Sequence, residues 1–413
     1  MIAIIGAGAA GCFCAIELKR RLPHLDVVAY ESASKPLAKV AITGGGRCNL
    51  TNSFEGIRSL KEAYPRRDQL LKRAFHTFDN RQLMQWFERE GVRLVTQSDE
   101  CVFPESQDAM QIVRTLLRNM EQLGVKLCLN HRVIRIEAEK GYRISFADDR
   151  QQPVHADAVV VTTGGSPKMS GLDFLQSLQL EMVPPVPSLF SFNISGMSPY
   201  MGIVVEPVTA SLAGTKFKAQ GALLITHWGM SGPAILKLSS HAARYLAENA
   251  YKAQLLVNWL GDMGEEKVRI LLLEMQQTQS GKQVGNTHLP QISSRWWQAL
   301  IGRAGIRQEQ KWGEVGRKQL NKLVAVLTAD TYAIEGQSRH KDEFVTCGGV
   351  SLSNLNLNTL EVKAHPGLYL AGEVLDVDAI TGGFNLQAAW SMGYVVAQSI
   401  ASAVAPKKVA EKF

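Results

Sequence analysis

The distribution of apolar and polar residues at the start of the chain is typical of a βαβ unit. The first eleven residues, MIAIIGAGAAG, form a short apolar run that ends in a glycine-rich turn. CFCAIELKRRL follows with the spacing of a helix, and DVVAYE is a second β-branched run that ends in an acidic residue. Because a strand, a helix and a second strand in this order form a parallel crossover, the pattern predicts an α/β domain.

The pattern then changes twice before it returns to its first form. Residues 58–123 look mostly helical, and alternating and apolar runs that end in ADAVVVTTGG predict strands. The prolines of VPPVPSL mark a crossing into a region that is strand-rich over 188–260 and helical over 261–330. At the end, LYLAGEVLDVD predicts a strand and a loop, and NLQAAWSMGYVVAQSIASAV predicts a long helix. We therefore predict a discontinuous first domain and an inserted second domain with these bounds: 1–187 with 341–413, and 188–340.

Three glycines in the first turn have the spacing of a dinucleotide-binding fingerprint. Gly6, Gly8 and Gly11 read G-x-G-x-x-G, and Glu31 follows at the end of the next predicted strand. In this motif the glycines allow a tight turn, a close approach to a pyrophosphate and close packing of helix on strand. The helix N-terminus favours the phosphate charge, and the acidic residue would accept hydrogen bonds from a ribose. The motif therefore predicts a dinucleotide cofactor.

Two further glycine clusters favour FAD over a nicotinamide dinucleotide as the tightly held cofactor. TGGGRCNLTN, residues 43–52, combines three glycines that could lie against a flat ring with polar side chains. A mobile glycine loop is the alternative, although the dense polar residues that follow fit it poorly. Near the other end, Gly372-Glu373 follows a strand, and GGFNLQ opens the last helix. Such backbone N–H groups suit a flavin, and we find only one fingerprint, so we expect no separate nicotinamide domain.

Composition excludes several classes of protein. With 413 residues, of which 46% are hydrophobic and 20% charged, the chain can bury two or three cores and is not disordered, coiled-coil or collagen-like. Six cysteines without C-x2-C spacing predict neither a disulfide framework nor a metal site, and a cytoplasmic location is expected. The uncharged stretch 379–406 carries polar residues on most turns, which predicts a buried helix rather than a membrane span.

The net charge of +7 is concentrated in two segments. Residues 58–93 contain nine Lys and Arg against five Asp and Glu, and residues 295–322 contain seven against two. Trp296, Trp297 and Trp312 interleave with the basic residues of the second segment, as in a surface that stacks on RNA bases. Solvated amphipathic helices with packed tryptophans would produce the same sequence pattern of tryptophans and basic residues. The charge therefore suggests a polyanionic partner and leaves both interpretations open.

The motifs together resemble one bacterial family. The resemblance is carried, in order and over nearly the whole chain, by IIGAGAAG, TGGGRCNLTN, LLITHWGMSGPAIL, VTCGGV and LYLAGEVLDVDAITGGFNLQAAW. These segments are similar to those of NAD(P)/FAD-dependent oxidoreductases that include ribosomal RNA dihydrouridine synthase, a bile-acid ring reductase and an aminoacetone oxidase. The resemblance implies a Rossmann-like FAD-binding domain of the glutathione-reductase type, with an inserted substrate domain and with NADH or NADPH as a transient electron donor.

The resemblance also implies which residues hold FAD. Those expected at the ADP half are Gly6, Gly8, Ala9, Ala10, Gly11 and Glu31, with the backbone of Val133 at the adenine. Those expected around the flavin are Lys39, Gly45, Gly46, Arg47, Cys48, Asn49, Thr163, Gly164, Gly372, Glu373, Asp376, Gly383, Phe384, Asn385, Leu386 and Gln387. The chain departs from the family pattern at Leu37-Ala38, Ala379 and Phe384, where Gly-Arg, Gly and Tyr are usual. We expect FAD binding to survive these changes, whereas the identity of the substrate is put in doubt.

Two residues are candidates for supplying a proton beside the hydride chemistry of the flavin. Cys48 is the thiol that the resemblance places nearest the flavin, and it could protonate the carbon opposite the hydride. Its alternative role is that of a small buried packing residue. His227, in the polar turn THWGMSGP, could bind substrate or act as an acid, or it could hold the turn through its ring N–H. Glu373 is expected to be an anchor rather than a base, and Cys12 and Cys14 to be core residues.

The expected activity is the reduction of an activated C=C bond. Uridine in ribosomal RNA is the leading substrate, because the two basic segments exceed what a small neutral substrate requires. A steroid-like enone or an amine is the alternative, and it would require an apolar pocket. The competing class of protein is one that binds flavin without efficient redox turnover, in which neither nicotinamide cofactor would reduce the flavin.

Overall fold

The structure is a computed structural model that describes residues 1–338 and 345–404. The chain divides into two compact units: unit 1, Met1–Val186 with Val345–Phe413, and unit 2, Pro187–Phe344. The first boundary lies one residue before the predicted end of the first domain. The predicted second boundary, between residues 340 and 341, lies outside the described residues, as do residues 405–413.

The described residues form 22 strands and 12 α-helices, numbered in chain order. The strands are β1 (Ile2–Ile5), β2 (Val27–Tyr30), β3 (Thr51–Asn52), β4 (Leu94–Thr96), β5 (Cys101–Pro104), β6 (Lys126–Cys128), β7 (Val133–Glu139), β8 (Gly141–Phe146), β9 (Val154–Ala156), β10 (Ala158–Val161), β11 (Met182–Ser188), β12 (Phe192–Asn193), β13 (Val204–Leu212), β14 (Lys218–Ile225), β15 (Gly229–Ser231), β16 (Ala253–Asn258), β17 (Asp330–Ile334), β18 (Gly336–Gln337), β19 (Val345–Val350), β20 (Leu355–Asn356), β21 (Glu361–Val362) and β22 (Leu368–Leu370). The helices are α1 (Ala9–Arg21), α2 (Ala38–Gly46), α3 (Leu60–Ala63), α4 (Asp68–Thr77), α5 (Asn80–Arg89), α6 (Ala109–Gln122), α7 (Pro233–His241), α8 (Ala243–Glu248), α9 (Glu265–Thr278), α10 (Ser294–Arg303), α11 (Arg317–Ala329) and α12 (Phe384–Val404).

Unit 1 is built on a seven-stranded sheet with a parallel centre. The strand order is β20-β21-β22-β10-β1-β2-β6, and the five strands from β22 to β6 are parallel. In β1, Ile2 lies opposite Val27 on one side and Ala158 on the other. Every residue of β1 and β2 is buried, which explains why these strands are continuous apolar runs. The carboxyl ends of β1, β2 and β10 therefore meet at one edge, where open α/β sheets bind ligands.

The last helix belongs to the core of unit 1. At Gly393 a Cβ atom would lie 2.6 Å from the carbonyl oxygen of Ala10, so α12 and α1 approach as closely as their backbones allow. Trp390 is fully buried and its indole N–H donates to the carbonyl of Leu50. Within the part of the chain that the structure describes, no helix combines the length and apolar character needed to cross a membrane.

The structure adds short strands to two segments whose predicted character it otherwise agrees with. The stretch 58–123 is interrupted by β4 and β5, which form a three-stranded sheet with β3 in the order β3-β5-β4. VPPVPSL is not a bare crossing, because it forms β11, which pairs with β19 in a two-stranded sheet. Prolines are tolerated there because a strand with only one partner leaves half of its N–H groups without a pairing role. A third small sheet has the order β7-β8-β9.

Unit 2 combines an antiparallel sheet with helices, as the change of pattern predicted. The strand order is β17-β16-β13-β14-β15-β12-β18, and each recorded pairing in it is antiparallel. The helices α9, α10 and α11 contribute to a core that contains Trp296, Trp297 and Trp312, each at most 1% exposed. The indole of Trp297 donates to Val284 O and that of Trp312 to the Thr287 hydroxyl. The prediction that these tryptophans stack on RNA bases is therefore wrong.

Candidate functional site

The glycine-rich turn after β1 leaves the N-terminus of α1 open. Gly6 has φ +103°, and a Cβ there would lie 2.6 Å from Thr162 O, so only glycine fits the turn. Gly8 is the N-cap of α1, and a Cβ there would meet nothing within 4 Å. At Gly11 a Cβ would lie 2.0 Å from Gly6 O, so the third glycine allows the close packing of helix on turn. The first turn of α1 has no acidic residue, and its free N–H groups suit a phosphate.

Glu31 lies directly after β2, beside this turn. One carboxylate oxygen accepts a hydrogen bond of 2.9 Å from the backbone N–H of Ala7, and the other accepts from Ala33 N and the Ser32 hydroxyl. These bonds fix the carboxylate against the glycine turn. An ionised carboxylate offers about four acceptor positions, so the half-buried side chain still has room to accept from a ribose hydroxyl.

The TGGGRCN segment presents open backbone at the end of α2. Gly44, Gly45 and Gly46 have φ values of +61°, +68° and +82°, the left-handed region that favours glycine. A Cβ at Gly45 or Gly46 would meet nothing within 4 Å, so a flat ring system can approach both. The guanidinium of Arg47 lies 4.4 Å from the centre of the Phe103 ring and donates to Gly44 O, which holds the side chain beside the loop.

The loop before α12 lies directly against this segment. The side-chain amide of Asn49 donates to Thr51 O at 2.9 Å and accepts from Gly383 N at 3.2 Å. At Gly383, where φ is +87°, a Cβ would lie 2.3 Å from Thr51 O. The Thr51 hydroxyl donates to the side-chain oxygen of Gln387. Residues from two distant motifs of the sequence are thus brought together.

Three of the residues predicted around the flavin have side chains that are enclosed by, or hydrogen-bonded to, other residues of unit 1. The amide of Asn385 both donates to and accepts from the backbone of Ala379, and Gln387 is fully buried. Asp376 is 2% exposed, and its carboxylate accepts two hydrogen bonds from Arg67. These side chains shape the loop, so any contact from Asn385 or Gln387 to the cofactor is left to the backbone.

Glu373 is an anchor, as expected. One carboxylate oxygen accepts from Thr346 N at 2.7 Å, and the other lies 3.1 Å from the ammonium of Lys39. Lys39 is 62% exposed in its side chain, so this ion pair leaves the cation accessible. Gly372, the preceding residue, has φ +82°, and a Cβ there would contact the side chain of Ala10.

The remaining predicted cofactor residues also lie in unit 1. Val133 is the first residue of β7 and is half-buried. Gly164 follows β10 with φ +77°, and a Cβ there would meet nothing within 4 Å. The others are placed as follows: Ala9 and Ala10 in the first turn of α1, Thr163 after β10, and Phe384 and Leu386 in the first turn of α12. Open backbone at three glycine clusters, beside an anchored carboxylate, is an arrangement that fits FAD.

The two proton-donor candidates differ sharply in exposure. Cys48 is fully buried, and burial raises the pKa of its thiol to about 12, so the thiol is neutral. Such enclosure is what the packing role predicts. His227 is in unit 2, exposed at the tip of the turn between β14 and β15, and its ring edge contacts Trp228. The Thr226 hydroxyl accepts from Gly229 N, and the His227 ring makes no hydrogen bond to a described residue, so the histidine does not hold the turn.

Sequence reasoning missed two arginines beside the loop before α12. Arg66 forms an ion pair with Asp378, and Arg67 forms one with Asp376 at 2.9 Å. Both arginines belong to the basic segment 58–93, for which a polyanion-binding surface and a solvated helical face were the two interpretations. The only available signal was the alternation Asp-Val-Asp in the loop, which places two carboxylates where a buried segment is predicted.

Comparison with known proteins places the chain in a family. Residues 1–399 match the model of the HI0933-like protein Rossmann domain. The chain is 29% identical to ribosomal RNA dihydrouridine synthase of Escherichia coli, over 97% of this chain and 98% of that protein. It is 28% identical, with the same coverage, to 3-dehydro-bile acid delta(4,6)-reductase of Clostridium scindens.

A solved structure supports the fold. The 3-ketosteroid-delta4-(5alpha)-dehydrogenase of Rhodococcus jostii superposes with a TM-score of 0.51 at 14% identity, over 97% of this chain and 96% of that chain. The expected α/β fold and the resemblance stated from the motifs are therefore confirmed. From the match over nearly its whole length, the chain belongs to the HI0933-like Rossmann family of FAD-dependent oxidoreductases.

Proposed function

We propose that this protein reduces an activated C=C bond with electrons from NADH or NADPH, and that its leading substrate is uridine in ribosomal RNA. FAD, when bound, supplies hydride transfer from the nicotinamide to the C=C bond. The names of the two relatives support this class of reaction, because one is a reductase and the other makes dihydrouridine, in which one C=C bond of uridine is reduced.

A group of exposed cations in unit 2 carries the preference for RNA. Of the seven Lys and Arg in residues 295–322, Arg303 forms an ion pair with the buried Asp330, and Arg295 donates to Met201 O. The other five are exposed and form no ion pair with a described residue: Arg307, Lys311, Arg317, Lys318 and Lys322. We call these five the basic cluster of unit 2. Cations left without partners suit the phosphates of a polyanion better than a small neutral substrate.

Two members of the basic cluster are placed where they do not favour stability. Arg317 and Lys318 lie in the first turn of α11, which contains no acidic residue. The N-terminus of a helix carries partial positive charge, so cations there are unfavourable by roughly 0.3–1 kcal/mol each. Their presence is better explained by an anionic partner than by the folding of unit 2.

We propose that His227, rather than Cys48, donates the proton to the substrate. The exposed imidazole can reach a substrate, and imidazole is the side chain that most often transfers a proton in catalysis. The enclosed thiol of Cys48 keeps its proton and packs in the core of unit 1. The assignment is tested below by comparing variants of both residues.

The decisive experiment compares ribosomal RNA from cells with and without this protein by mass spectrometry. We expect at least one uridine to lack the two-hydrogen mass increase of dihydrouridine in the deleted cells, and the increase to return with the wild-type protein but not with Glu31→Ala. If the RNA is unchanged and the purified holoprotein oxidises NADPH with a steroid-like enone, the small-molecule alternative, which the bile-acid relative supports, replaces RNA.

A further inference from the structure

A short segment before α4 holds the loop before α12 at four points. Two of them are hydrogen bonds with the backbone: Ile380 N donates to Ala63 O at 2.9 Å, and the Tyr64 hydroxyl donates to Phe384 O at 2.8 Å. The other two are the ion pairs Arg66 with Asp378 and Arg67 with Asp376. We call residues 63–67 together with residues 376–384 the clasp.

In both ion pairs of the clasp, the carboxylate is the buried partner. Asp376 and Asp378 are 2% and 1% exposed, and each is held by two guanidinium nitrogens of one arginine. Removing a carboxylate from water costs several kcal/mol, and apolar residues of similar size often stabilise a fold as well as a buried pair does. Stability alone therefore does not require two such pairs side by side. Arg66 donates to both oxygens of Asp378, and two nitrogens of Arg67 donate to one oxygen of Asp376, so each guanidinium helps to fix the position of the loop.

The backbone conformation of Arg67 supports the same conclusion. Its φ is +65°, a strained conformation that residues other than glycine rarely adopt. This conformation is held at the N-cap of α4, where the side chain does not cap the helix and instead reaches Asp376. The strained backbone of Arg67 thus places its guanidinium on the loop.

The loop that the clasp holds is the one that carries the flavin motif of the C-terminal part. It follows β22 in the chain, is joined to β19 by a hydrogen bond of 2.9 Å from Asp376 N to Val350 O, and ends at Gly382, Gly383 and the N-terminus of α12. The Asn52 amide donates to Gly382 O and Asn49 accepts from Gly383 N, so the far end is fixed by the TGGGRCNLTN segment. The clasp fixes the part between these two ends.

We propose that Arg66 and Arg67 are positioning residues for the flavin, which act by holding the 376–384 loop in the shape that receives the isoalloxazine ring. This inference rests on FAD binding, which the family establishes, and is independent of the proposed RNA substrate. Both arginines act through the loop.

The test compares clasp variants with a matched surface variant in the full-length holoprotein. Arg67→Gln and Asp376→Asn each break the same ion pair, and Arg93→Gln removes a cation whose pairing with Glu105, at 3.8 Å, is exposed on both sides. The FAD dissociation constant is measured from flavin released on dilution, and the orientation of bound flavin is followed by its visible circular dichroism. Arg67→Lys keeps the positive charge and loses the planar guanidinium, whose two nitrogens donate to Asp376.

We expect Arg67→Gln and Asp376→Asn to weaken FAD binding at least tenfold and to change the visible circular dichroism of the remaining bound flavin. The double variant should lose less affinity than the sum of the two single losses, because both single changes remove the same ion pair. Arg67→Lys should recover part of the affinity, and it provides the test if the glutamine variant does not fold. Arg93→Gln should match the wild type. Unchanged affinity and an unchanged flavin spectrum in Arg67→Gln or Arg67→Lys would overturn the proposal and leave the clasp a device of folding alone.

Discussion

The hydroxyl of Thr51 donates a hydrogen bond of 2.6 Å to the side-chain oxygen of Gln387, which lies 336 positions further along the chain. Both side chains are fully buried, and the Gln387 amide group donates in turn to the Ser391 hydroxyl. The bond joins the TGGGRCNLTN segment to the first turn of α12. Two segments that carry predicted flavin-binding residues are thus held together by a contact between polar groups that are shielded from water.

Replacing Thr51 should destabilise unit 1. Thr51→Val removes the hydroxyl and leaves the buried oxygen of Gln387 without that donor, which costs about 1–3 kcal/mol of unfolding free energy. Urea denaturation followed by far-UV circular dichroism measures the change. Thr278→Val is the matched control, because the Thr278 hydroxyl is exposed and bonds only within its own helix. Equal stability of the two variants would show that the bond contributes nothing.

Glu31→Ala should weaken FAD binding through its adenosine half. The lost carboxylate removes acceptors for the ribose and also the bond to Ala7 N, so we expect a loss of about 1–3 kcal/mol. Fluorescence titration of the apoprotein measures it. FMN has no adenosine and serves as the control ligand, since its binding should change little. A preparation from which only FMN is recovered would contradict the assignment of FAD.

The two proton-donor candidates are separated by stopped-flow reoxidation of the reduced flavin with substrate. His227→Gln should bind FAD and accept electrons from the nicotinamide normally, yet slow reoxidation by about 10²–10⁴-fold. Cys48→Ala should leave reoxidation unchanged, because the wild-type thiol is enclosed in the core. The reverse result would return the role of proton donor to Cys48.

The basic cluster of unit 2 should determine how RNA affinity responds to salt. Each lost phosphate contact reduces the slope of log affinity against log salt by roughly 0.7 for single strands, so changing three cations should reduce it by up to about 2. The variant replaces Arg307, Lys311 and Lys318 with glutamine, and it leaves Arg303 in place because Arg303 pairs with Asp330. The control changes three exposed lysines elsewhere in unit 2: Lys216, Lys218 and Lys252. RNA binding that is absent or insensitive to salt in the wild type would eliminate RNA as the substrate.

Trp312→Ala should act on stability and not on a base-stacking contact. The side chain is fully buried and its N–H donates to Thr287, so truncation leaves a cavity and removes a buried hydrogen bond, at a cost of about 3–5 kcal/mol. Thermal unfolding measures this effect. Trp312→Phe should recover much of the loss. If the alanine variant were as stable as the wild type and lost only RNA affinity, the packing role would be excluded.

What could be predicted from the sequence was the part of the fold whose pattern is local. Gly6 and Gly11 occupy backbone positions where a Cβ atom would clash, Gly8 leaves the start of α1 open, and β1 and β2 are apolar throughout because both faces are covered. The α/β class and the position of Glu31 beside the glycine turn followed from this local spacing, and the family followed from the resemblance of the longer motifs. A conformational requirement of one residue or one strand is therefore visible directly in the amino-acid sequence.

What only the tertiary structure decided were the partners of side chains that have two plausible roles. Arg67 and Lys318 are both basic residues in basic segments, yet Arg67 pairs with a buried carboxylate and Lys318 has no described ion-pair partner. Trp312 belongs to the core although its neighbours are charged. An ion pair such as that of Arg67 joins residues hundreds of positions apart, and it depends on which faces become buried when the whole chain folds. No periodicity within one segment encodes that choice.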